Sequence, residues 1–366
     1  MRRFRPAHTA VIVEQAGAES GDQGRVSVIV PVLDEEQRLP ACLASLATTD
    51  ADVGEILVVD GESQDGTRAV IQGLALGDKR IKAVQAPPLP EDWNGKAWNL
   101  QVGLNSVDPD AEWILMIDAD VRVAPSLVAA LTMTAERDNL DLLSVAAQQH
   151  VGGMLQAAVH PSMLCSLVYR FGPPGRSLLL GTKVQANGQC MLVRRRTLQG
   201  IQDLSSARYS RCEDVTVARV IVAVGGTVGF YEAPDLIETH MYDNIAGLWN
   251  GWSRSLPVRD AWTRWSSLIG LTEVLLVQSL PLVLLPVAVR KRKHWRAGLP
   301  FLVIEVCLVC TRIGVLIGMR RVYSSVRRSY WLSPLADMPV ALKLWQSVLQ
   351  KRHVWRGRRL VAGGIG

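Results

Sequence analysis

A short apolar run that ends in two aspartates, residues 113–120, constrains what this chain can fold into more than any other feature. Five apolar residues between polar ones are typical of a buried strand in a parallel sheet. Asp118 and Asp120 follow, and side chains at positions i and i+2 of a strand point to the same side. An isolated Asp-x-Asp more often caps a helix or faces solvent. At the carboxyl end of a strand, where open α/β sheets bind ligands, the pair suits a divalent cation that holds a diphosphate.

Two earlier segments repeat this pattern of a strand followed by acidic residues. Residues 26–36 are an apolar run followed by Asp34 and two glutamates, and residues 55–67 are a second run that ends at Asp60 and a glycine-punctuated turn. Each is followed by a helical segment, and this alternation predicts βαβ units and a parallel sheet. The sheet is expected to bring both aspartates to the edge that carries Asp118 and Asp120.

A lysine close to the predicted start of a helix is the candidate phosphate contact. Residues 93–100 open this helix, and Lys96 follows Gly95 directly. The free N–H groups of a helix N-terminus and a point positive charge can together hold an anion. Most lysines are simply exposed to solvent. Beside the cluster of aspartates we interpret Lys96 as a contact to phosphate.

Four motifs stand in a fixed order: Val-Ile-Val-Pro-Val-x-Asp-Glu-Glu, Val-Val-Asp-Gly-x-Ser-x-Asp-Gly-Thr, Gly-Lys-Ala-Trp-Asn and Asp-Ala-Asp. This set, over residues 25–240, resembles the family 2 glycosyltransferases of the GT-A fold. The resemblance implies an α/β, Rossmann-like domain with a mostly parallel central sheet. It implies a nucleotide-diphosphate sugar as donor, UDP- or GDP-linked, and a divalent metal, Mg or Mn.

The resemblance also implies roles for individual residues. Asp34 and Asp60 are expected to contact the uracil and ribose of the donor, and Lys96 its nucleotide or diphosphate. Asp118 and Asp120 take the Asp-x-Asp role, with Asp118 among the donor-binding residues and Asp120 as the metal ligand.

The catalytic candidate lies further along the chain. Residues 187–195 resemble the family's glycine-containing strand in the acceptor half, and residues 210–218 resemble its Glu-Asp motif at the start of a helix. An acidic pair in a first helical turn also complements the helix dipole. In the family this aspartate is the general base, so Asp214 is the catalytic candidate. Attack at the anomeric carbon requires the acceptor hydroxyl to lose a proton, and a base opposite the leaving group gives inversion.

Processive members of the family carry Gln-x-x-Arg-Trp after this helix, and this chain does not. In a comparable place it has a Trp-Arg cluster, residues 249–254. Arg254 could contact the diphosphate, or the aromatic residues could lie at a membrane interface; the sequence favours neither. The missing motif favours transfer of a single sugar.

Composition indicates a catalytic part joined to a membrane part. The chain is 48% hydrophobic with a net charge of +6, and Lys and Arg crowd its C-terminal third. A basic, Trp-rich, apolar C-terminus favours an anionic lipid surface over nucleic acid. The six cysteines lack disulfide-scaffold spacing, and Cys307 and Cys310 are interpreted as small apolar residues. The N-terminus shows no signal peptide, so the catalytic domain is expected to face the cytoplasm.

Two apolar segments, residues 267–289 and 298–318, are each long enough for a membrane helix. The loop between them, residues 290–296, is strongly basic, as are later clusters. A full crossing would place that loop outside, against the preference of positive residues for the cytoplasmic side. We therefore expect a membrane hairpin that does not fully cross. The alternative is a pair of buried helices in a soluble domain.

These features predict a flexible tail over 1–24, a GT-A catalytic domain over 25–245 and a membrane-associated helical region over 246–366. A lipophilic acceptor follows. Together with Ser-Pro-Leu-Ala-Asp at 333–337, the motifs are similar to carotenoid 2′-O-glycosyltransferases and to hopanoid-associated glycosyltransferases. The favoured acceptor is a hydroxylated carotenoid, and the alternative is a hopanoid or polyprenyl-phosphate lipid.

Two further functions fit the sequence less well. An inactive membrane scaffold with this fold would have no need of four acids at one sheet edge. A Rossmann oxidoreductase would require Gly-x-Gly-x-x-Gly after the first strand, where this chain has Pro31 and acids. The oligomeric state is not legible from the sequence.

Overall fold

The computed structural model describes residues 13, 25–49, 52–176, 184–210, 212–240, 242, 244–255, 264–293, 298–350, 354–355 and 358–359. The predicted tail over 1–24 therefore lies outside the described residues, apart from Val13.

The described strands are β1 (Val26–Val32), β2 (Val53–Asp60), β3 (Ile81–Gln85), β4 (Trp113–Ile117), β5 (Val121–Val123), β6 (Leu142–Ala146), β7 (Gln148–Gln149), β8 (Gly175–Arg176), β9 (Cys190–Arg194), β10 (Val228–Glu232), β11 (Ile237–Thr239), β12 (Val354–Trp355) and β13 (Arg358–Arg359). The described α-helices are α1 (Leu39–Ala47), α2 (Thr67–Ala75), α3 (Gly95–Leu104), α4 (Leu127–Arg137), α5 (Met154–Phe171), α6 (Arg195–Gly200), α7 (Glu213–Ala223), α8 (Ile245–Ser255), α9 (Arg264–Val274), α10 (Leu280–Lys291), α11 (Gly298–Gly318) and α12 (Asp337–Leu349). A π-helical turn, Leu275–Ser279, joins α9 to α10, and a 3-10 segment, Arg328–Ala336, leads into α12.

The main sheet has eight strands in the order β3-β2-β1-β4-β9-β6-β10-β8. Strands β3, β2, β1 and β4 are mutually parallel, and β6 is parallel to β10. Strand β9 runs antiparallel to both of its neighbours, β4 and β6. The predicted α/β fold with a mostly parallel central sheet is therefore confirmed. A small second sheet has the strand order β5-β11-β7, and its three strands all follow β4 in the sequence.

The central strands are buried on both faces, which explains their continuous apolar runs. Along β1, Val28 and Val30 pack into one core, and Ile29 packs into another. The same alternation in β4 sends Leu115 to the first core and Met116 to the second. Since neither face is open, β4 consists of apolar residues only, and its first acidic side chain, Asp118, appears where the strand ends.

One predicted detail is wrong. The strand that was expected to extend through Asp120 ends at Ile117, and Asp118–Asp120 lie in the turn that follows it. Strand alternation therefore does not set the direction of the two carboxylates. The chain must turn at this point because β5 begins at Val121 and pairs antiparallel with β11 in the second sheet.

The chain divides into two compact units. The first comprises Met1–Gln149, Pro173–His240 and Val354–Gly366, and the second comprises His150–Gly172 and Met241–His353. The predicted boundary at 245 stays a prediction, but the segment 150–172, which the sequence assigned to the catalytic domain, belongs to the second unit. Its helix α5 packs against the 3-10 segment and α12, so tertiary contacts decide its membership.

Two helices of the second unit are long and apolar enough to cross a membrane: Trp265–Lys291 and Gly298–Val322, with mean hydropathies of 2.1 and 2.2. Only 28% and 17% of their apolar windows are buried. A core helix of a soluble protein is mostly buried, so this openness favours lipid contact over the alternative of two soluble core helices.

Candidate active site

The turns after β1 and β2 hold two of the predicted donor-binding residues. Oδ1 of Asp34 accepts a hydrogen bond from the Gln64 N–H at 2.8 Å, and the Asp34 N–H donates to Oγ of Ser63 at 2.9 Å. Oδ1 of Asp60 accepts from the Ser63 N–H at 3.0 Å, and its Oδ2 accepts from Nε of Arg68 at 2.7 Å. Ser63 therefore ties the two aspartates into one loop cluster, as the sheet topology predicted.

The backbone of these turns is strained. Asp34 has φ of 55° and Glu62 has φ of 69°, in the left-handed region that non-glycine residues rarely adopt. Such strain persists where surrounding contacts enforce it, and it concentrates at ligand sites. A cavity of about 250 Å³ adjoins these turns and is lined by Asp34, Glu35, Glu36, Gln37, Arg38 and Asp65.

Lys96 is the centre of a second cluster. Its Nζ lies 2.7 Å from Oδ1 of Asp118 and 2.8 Å from Oε1 of Glu213. Burial lowers the pKa of Lys96, but the charges of Asp118, Glu213 and Asp214 outweigh burial and hold that pKa well above its ordinary value. The lysine is thus a permanent cation among carboxylates, at a helix N-terminus that also favours anions.

Two helix starts meet at this cluster. Helix α3 begins at Gly95 and α7 begins at Glu213. Asn94, which precedes α3, donates from its N–H to the carbonyl of Arg208 at 2.7 Å and from its side chain to the carbonyl of Ser210 at 2.8 Å. Because both contacts are to the loop that leads into α7, the two N-termini are held side by side.

The predicted base, Asp214, lies in the first turn of α7. Its Oδ2 accepts a hydrogen bond from the Gly188 N–H at 2.7 Å, and its Oδ1 accepts from the Val215 N–H at 2.8 Å. A Cβ at position 188 would lie 2.9 Å from Nζ of Lys96 and 3.3 Å from Oε1 of Glu213. An alanine here would displace the Lys96 ammonium group, so the glycine lets the backbone before β9 approach both the lysine and Asp214.

The pKa values of the acids are shifted upward. Burial, together with the charge of Glu213, raises the pKa of Asp214 to about 7 against the opposing charge of Lys96. Burial raises the pKa of Asp118 to about 6, against the opposing charge of Lys96 and with the charge of Asp120. A carboxylate with a pKa near neutrality can accept a proton during turnover, because it is ionised yet basic at working pH.

Asp120 has a buried carboxylate oxygen that is suited to bind a metal ion. Its Oδ1 is buried and has no hydrogen-bond partner among the described residues. Burial and the charge of Glu35 raise its pKa. A buried orphan carboxylate oxygen is costly unless a cation satisfies it. The described residues contain no group of three or more His, Cys, Asp or Glu placed to hold a metal. A hard cation here would therefore take Asp120, Asp118 and oxygens from a bound diphosphate.

The structure adds residues that the sequence analysis assigned no role. Glu213 was read only as part of an acidic pair, yet it is a direct partner of Lys96. The backbone N–H of His240 donates to the carbonyl of Asp120 at 3.0 Å. Its ring Nε2 lies 3.2 Å from both Nη1 of Arg122 and Oε1 of Glu238. Its only sequence signal is its position directly after β11. The predicted Trp-Arg cluster is described in part, and the side chain of Arg254 lies outside the described residues.

Comparisons with known proteins place this site in context. Residues 27–200 match the family model Glycosyl transferase family 2. A curated relative, undecaprenyl-phosphate 4-deoxy-4-formamido-L-arabinose transferase from Photorhabdus laumondii, is 30% identical over 117 residues. That stretch is 31% of this chain and 34% of the relative, so the chain spans about a third of the relative's length.

Solved structures with a similar fold include a mannosyltransferase from Pyrobaculum calidifontis in complex with GDP-Man and Mn²⁺. It is 15% identical with a TM-score of 0.48, over 86% of this chain and 91% of that one. Glucosyl-3-phosphoglycerate synthase from Mycobacterium tuberculosis, in complex with Mn²⁺, UDP-glucose and phosphoglyceric acid, is 16% identical with a TM-score of 0.44, over 68% and 85% of the two chains.

Proposed function

We propose that this chain, whose residues 27–200 match the family model Glycosyl transferase family 2, is an inverting enzyme of the GT-A fold that transfers one sugar to a lipophilic acceptor. The donor is a nucleotide-diphosphate sugar, and the acceptor group is a hydroxyl. The observation that carries the proposal is the pairing of Lys96 with Asp118 and Glu213 beside Asp214. A cationic ammonium group and carboxylates that can accept a proton thus lie next to one another at the carboxyl edge of a sheet.

On the donor side, four residues bind the nucleotide-diphosphate sugar: Asp34, Asp60, Lys96 and Asp118. The loop cluster of Asp34 and Asp60 holds the nucleoside through hydrogen bonds to base and ribose. Lys96 stabilises negative charge on the departing diphosphate, where preorganised cations are most effective. Asp120 and Asp118 would hold a divalent metal, which supplies further neutralisation of the diphosphate when bound.

On the acceptor side, Asp214 accepts the proton of the attacking hydroxyl. The hydrogen bonds from Gly188 and Val215 fix the direction of its carboxylate. Proton transfer to a positioned base of matched pKa contributes about 10²–10⁴-fold to a rate. A base opposite the leaving group leads to inversion at the anomeric carbon.

The favoured acceptor is a hydroxylated carotenoid, glycosylated at its 2′ oxygen. A polyprenyl-phosphate acceptor is the second candidate, supported by the relative that carries undecaprenyl phosphate in its name. The two differ in chemistry. A hydroxyl must lose a proton and needs a base, whereas a phosphate is already ionised near neutral pH. A positioned carboxylate such as Asp214, held by the Gly188 and Val215 N–H groups, therefore supports a hydroxyl acceptor. The apolar helices support a membrane location, with the catalytic domain proposed to face the cytoplasm.

The test is a lipid and pigment extract from a carotenoid-producing host that expresses this chain, compared by mass with an Asp214→Asn control. Carotenoid glycosides that form only with the wild type support the activity and the acceptor. A new sugar on another lipid retains the enzyme and discards the carotenoid. No new glycolipid of any kind, in an extract with verified expression, contradicts the proposal and favours an inactive scaffold.

A further inference from the structure

The segment that follows the second long apolar helix carries several large apolar side chains that are exposed. In the 3-10 segment and α12, Trp331 is 43% exposed, Leu332 54%, Leu335 67%, Leu342 57% and Leu349 60%. Leu332, Leu335, Leu342 and Leu349 recur at spacings of three and seven residues, so they lie along one side of a helical path, and Trp331 is next to the first of them. We name these five residues the outer stripe. Solvent-exposed stripes of large apolar side chains on a soluble surface mark interaction sites.

The opposite side of the same segment is fixed inside the second unit. Tyr330 donates from its hydroxyl to the carbonyl of Leu316 on α11. Val340 and Leu344 are buried in a core with Leu271. Because the buried side is packed, the outer stripe cannot turn inward without breaking these contacts. Its exposure is therefore a property of the fold.

A buried ion pair fixes the junction between the 3-10 segment and α12. Nε of Arg312, on α11, donates to Oδ2 of Asp337 at 2.8 Å, and its Nη2 donates to Oγ of Ser333 at 2.8 Å. Gln278 and Ser162 also donate to Oδ1 of Asp337, at 2.8 Å and 2.6 Å. One carboxylate therefore joins α5, the π-helical turn, α11 and α12.

Basic residues directly precede the outer stripe. Arg320, Arg321, Arg327 and Arg328 are all exposed. The sequence from 320 to 336 contains no Asp or Glu, and Asp337 is buried in the ion pair. Lys and Arg residues near an anionic leaflet are each attracted to it, and apolar side chains beside them enter the headgroup boundary.

From these observations we propose that the outer stripe lies in the plane of an anionic lipid leaflet, with the four arginines on its headgroups. The partner is lipid because the apolar stripe follows four arginines, with no acidic residue between positions 320 and 336. It also continues from α11, whose exposed positions between Leu299 and Gly318 are all uncharged. The segment 328–349 is thus a membrane contact in addition to the two long helices. The inference deepens the proposed membrane location and does not depend on turnover.

The test reads the surroundings of position 335 in the full chain. Leu335→Cys is combined with Cys212→Ser, Cys307→Ser and Cys310→Ser, because the remaining cysteines are buried. The single thiol is labelled with an environment-sensitive fluorophore, and the protein is placed in nanodiscs of phosphatidylcholine with phosphatidylglycerol. We expect emission at shorter wavelength and quenching by brominated lipid.

The matched control is Leu76→Cys in the same background, since Leu76 is a leucine of the first unit that is 90% exposed. Its label should keep a water-like emission and be quenched by aqueous iodide. Label at position 342 serves as a second reporter of the stripe. The double substitution Arg327→Gln and Arg328→Gln should reduce the emission shift of the label at position 335 to the value seen in nanodiscs of phosphatidylcholine alone.

Three outcomes overturn the inference. The label at 335 could remain as open to iodide as the label at 76, or its shift could depend on protein concentration, which would indicate a second copy of the chain. The shift could also be unaffected by the arginine substitutions and by lipid charge. Flotation of the same labelled protein with vesicles separates these results from a failure of the proposed membrane location, because the two long helices bind lipid without the stripe.

Discussion

Oδ2 of Asp214 accepts a hydrogen bond of 2.7 Å from the backbone N–H of Gly188. The contact joins the first turn of α7 to the loop just before β9, so a helix and a loop together orient one carboxylate. Its second oxygen is held by the Val215 N–H. The two hydrogen bonds thereby fix the orientation of the side chain, which is the preorganisation that a general base requires.

Asp214→Asn should reduce transfer by about 10²–10⁴-fold while the chain keeps its fold, because the amide keeps one of the two hydrogen-bond-accepting oxygens but cannot take a proton. Initial rates with a nucleotide-sugar donor measure the loss of transfer, and circular dichroism measures whether the fold is kept. Turnover close to that of the wild type in the folded variant would remove the base assignment.

Activity should decline as pH falls through about 7, since burial and the charge of Glu213 raise the pKa of Asp214 to about 7 and a protonated carboxyl cannot accept a proton. Glu213→Gln removes one of those causes and should move the acidic limb of the pH–rate profile to lower pH. A limb that stays in place in this variant would show that another group controls it.

The same raised pKa has a consequence for stability. A carboxyl whose folded pKa is above its unfolded pKa of about 3.9 favours folding least when ionised, so wild-type stability should fall as pH rises from about 4 through about 7. The Asp214→Asn variant has no carboxyl to ionise at this position and therefore lacks this pH-dependent loss of stability. Its melting temperature should exceed that of the wild type above pH 7, and the gap should close on acidification.

Gly188→Ala should lower activity by about 10²-fold, because a displacement of roughly 1 Å in a reacting constellation has an effect of that size. The added Cβ would stand 2.9 Å from Nζ of Lys96. The matched control is Gly73→Ala in α2, where a Cβ meets nothing within 4 Å. Equal kinetics for both variants would contradict the role given to the close approach of residue 188.

Removal of divalent cations should abolish transfer, and Mg²⁺ or Mn²⁺ should restore it. Asp120→Asn should weaken this rescue, because it replaces the carboxylate that carries the buried orphan Oδ1 with a neutral group. Calorimetric titration of donor and metal into the protein measures binding without turnover. Wild-type metal affinity in the variant would exclude Asp120 as a ligand.

The Arg312–Asp337 pair in the second unit should control stability. The two side chains are 4% and 1% exposed, so Arg312→Leu leaves a buried carboxylate without its partner and should cost about 3–5 kcal/mol. Arg327→Leu, at an exposed arginine, should change stability by less than about 0.5 kcal/mol. Thermal unfolding in detergent measures both, and similar midpoints would show that the pair is dispensable.

Much of the fold was legible in the sequence because the central strands are buried on both faces. Their unbroken apolar runs, and the acids that end them, predicted β1, β2 and β4 and the grouping of Asp34 with Asp60. The start of α7 at Glu213 also agreed with its acidic pair, since that signal is local. The roles of these residues in donor binding and catalysis stay predictions.

What the sequence by itself determined about this protein is the set of local elements and the order of their motifs, because periodicity and turn chemistry act over a few residues. Only the tertiary structure decided that Glu213 meets Lys96, that Gly188 makes room for both, and that α5 joins the second unit. Those contacts link residues far apart in the chain, such as Lys96 and Glu213. Their geometry follows from how helix starts and strand ends pack together, which no local pattern encodes.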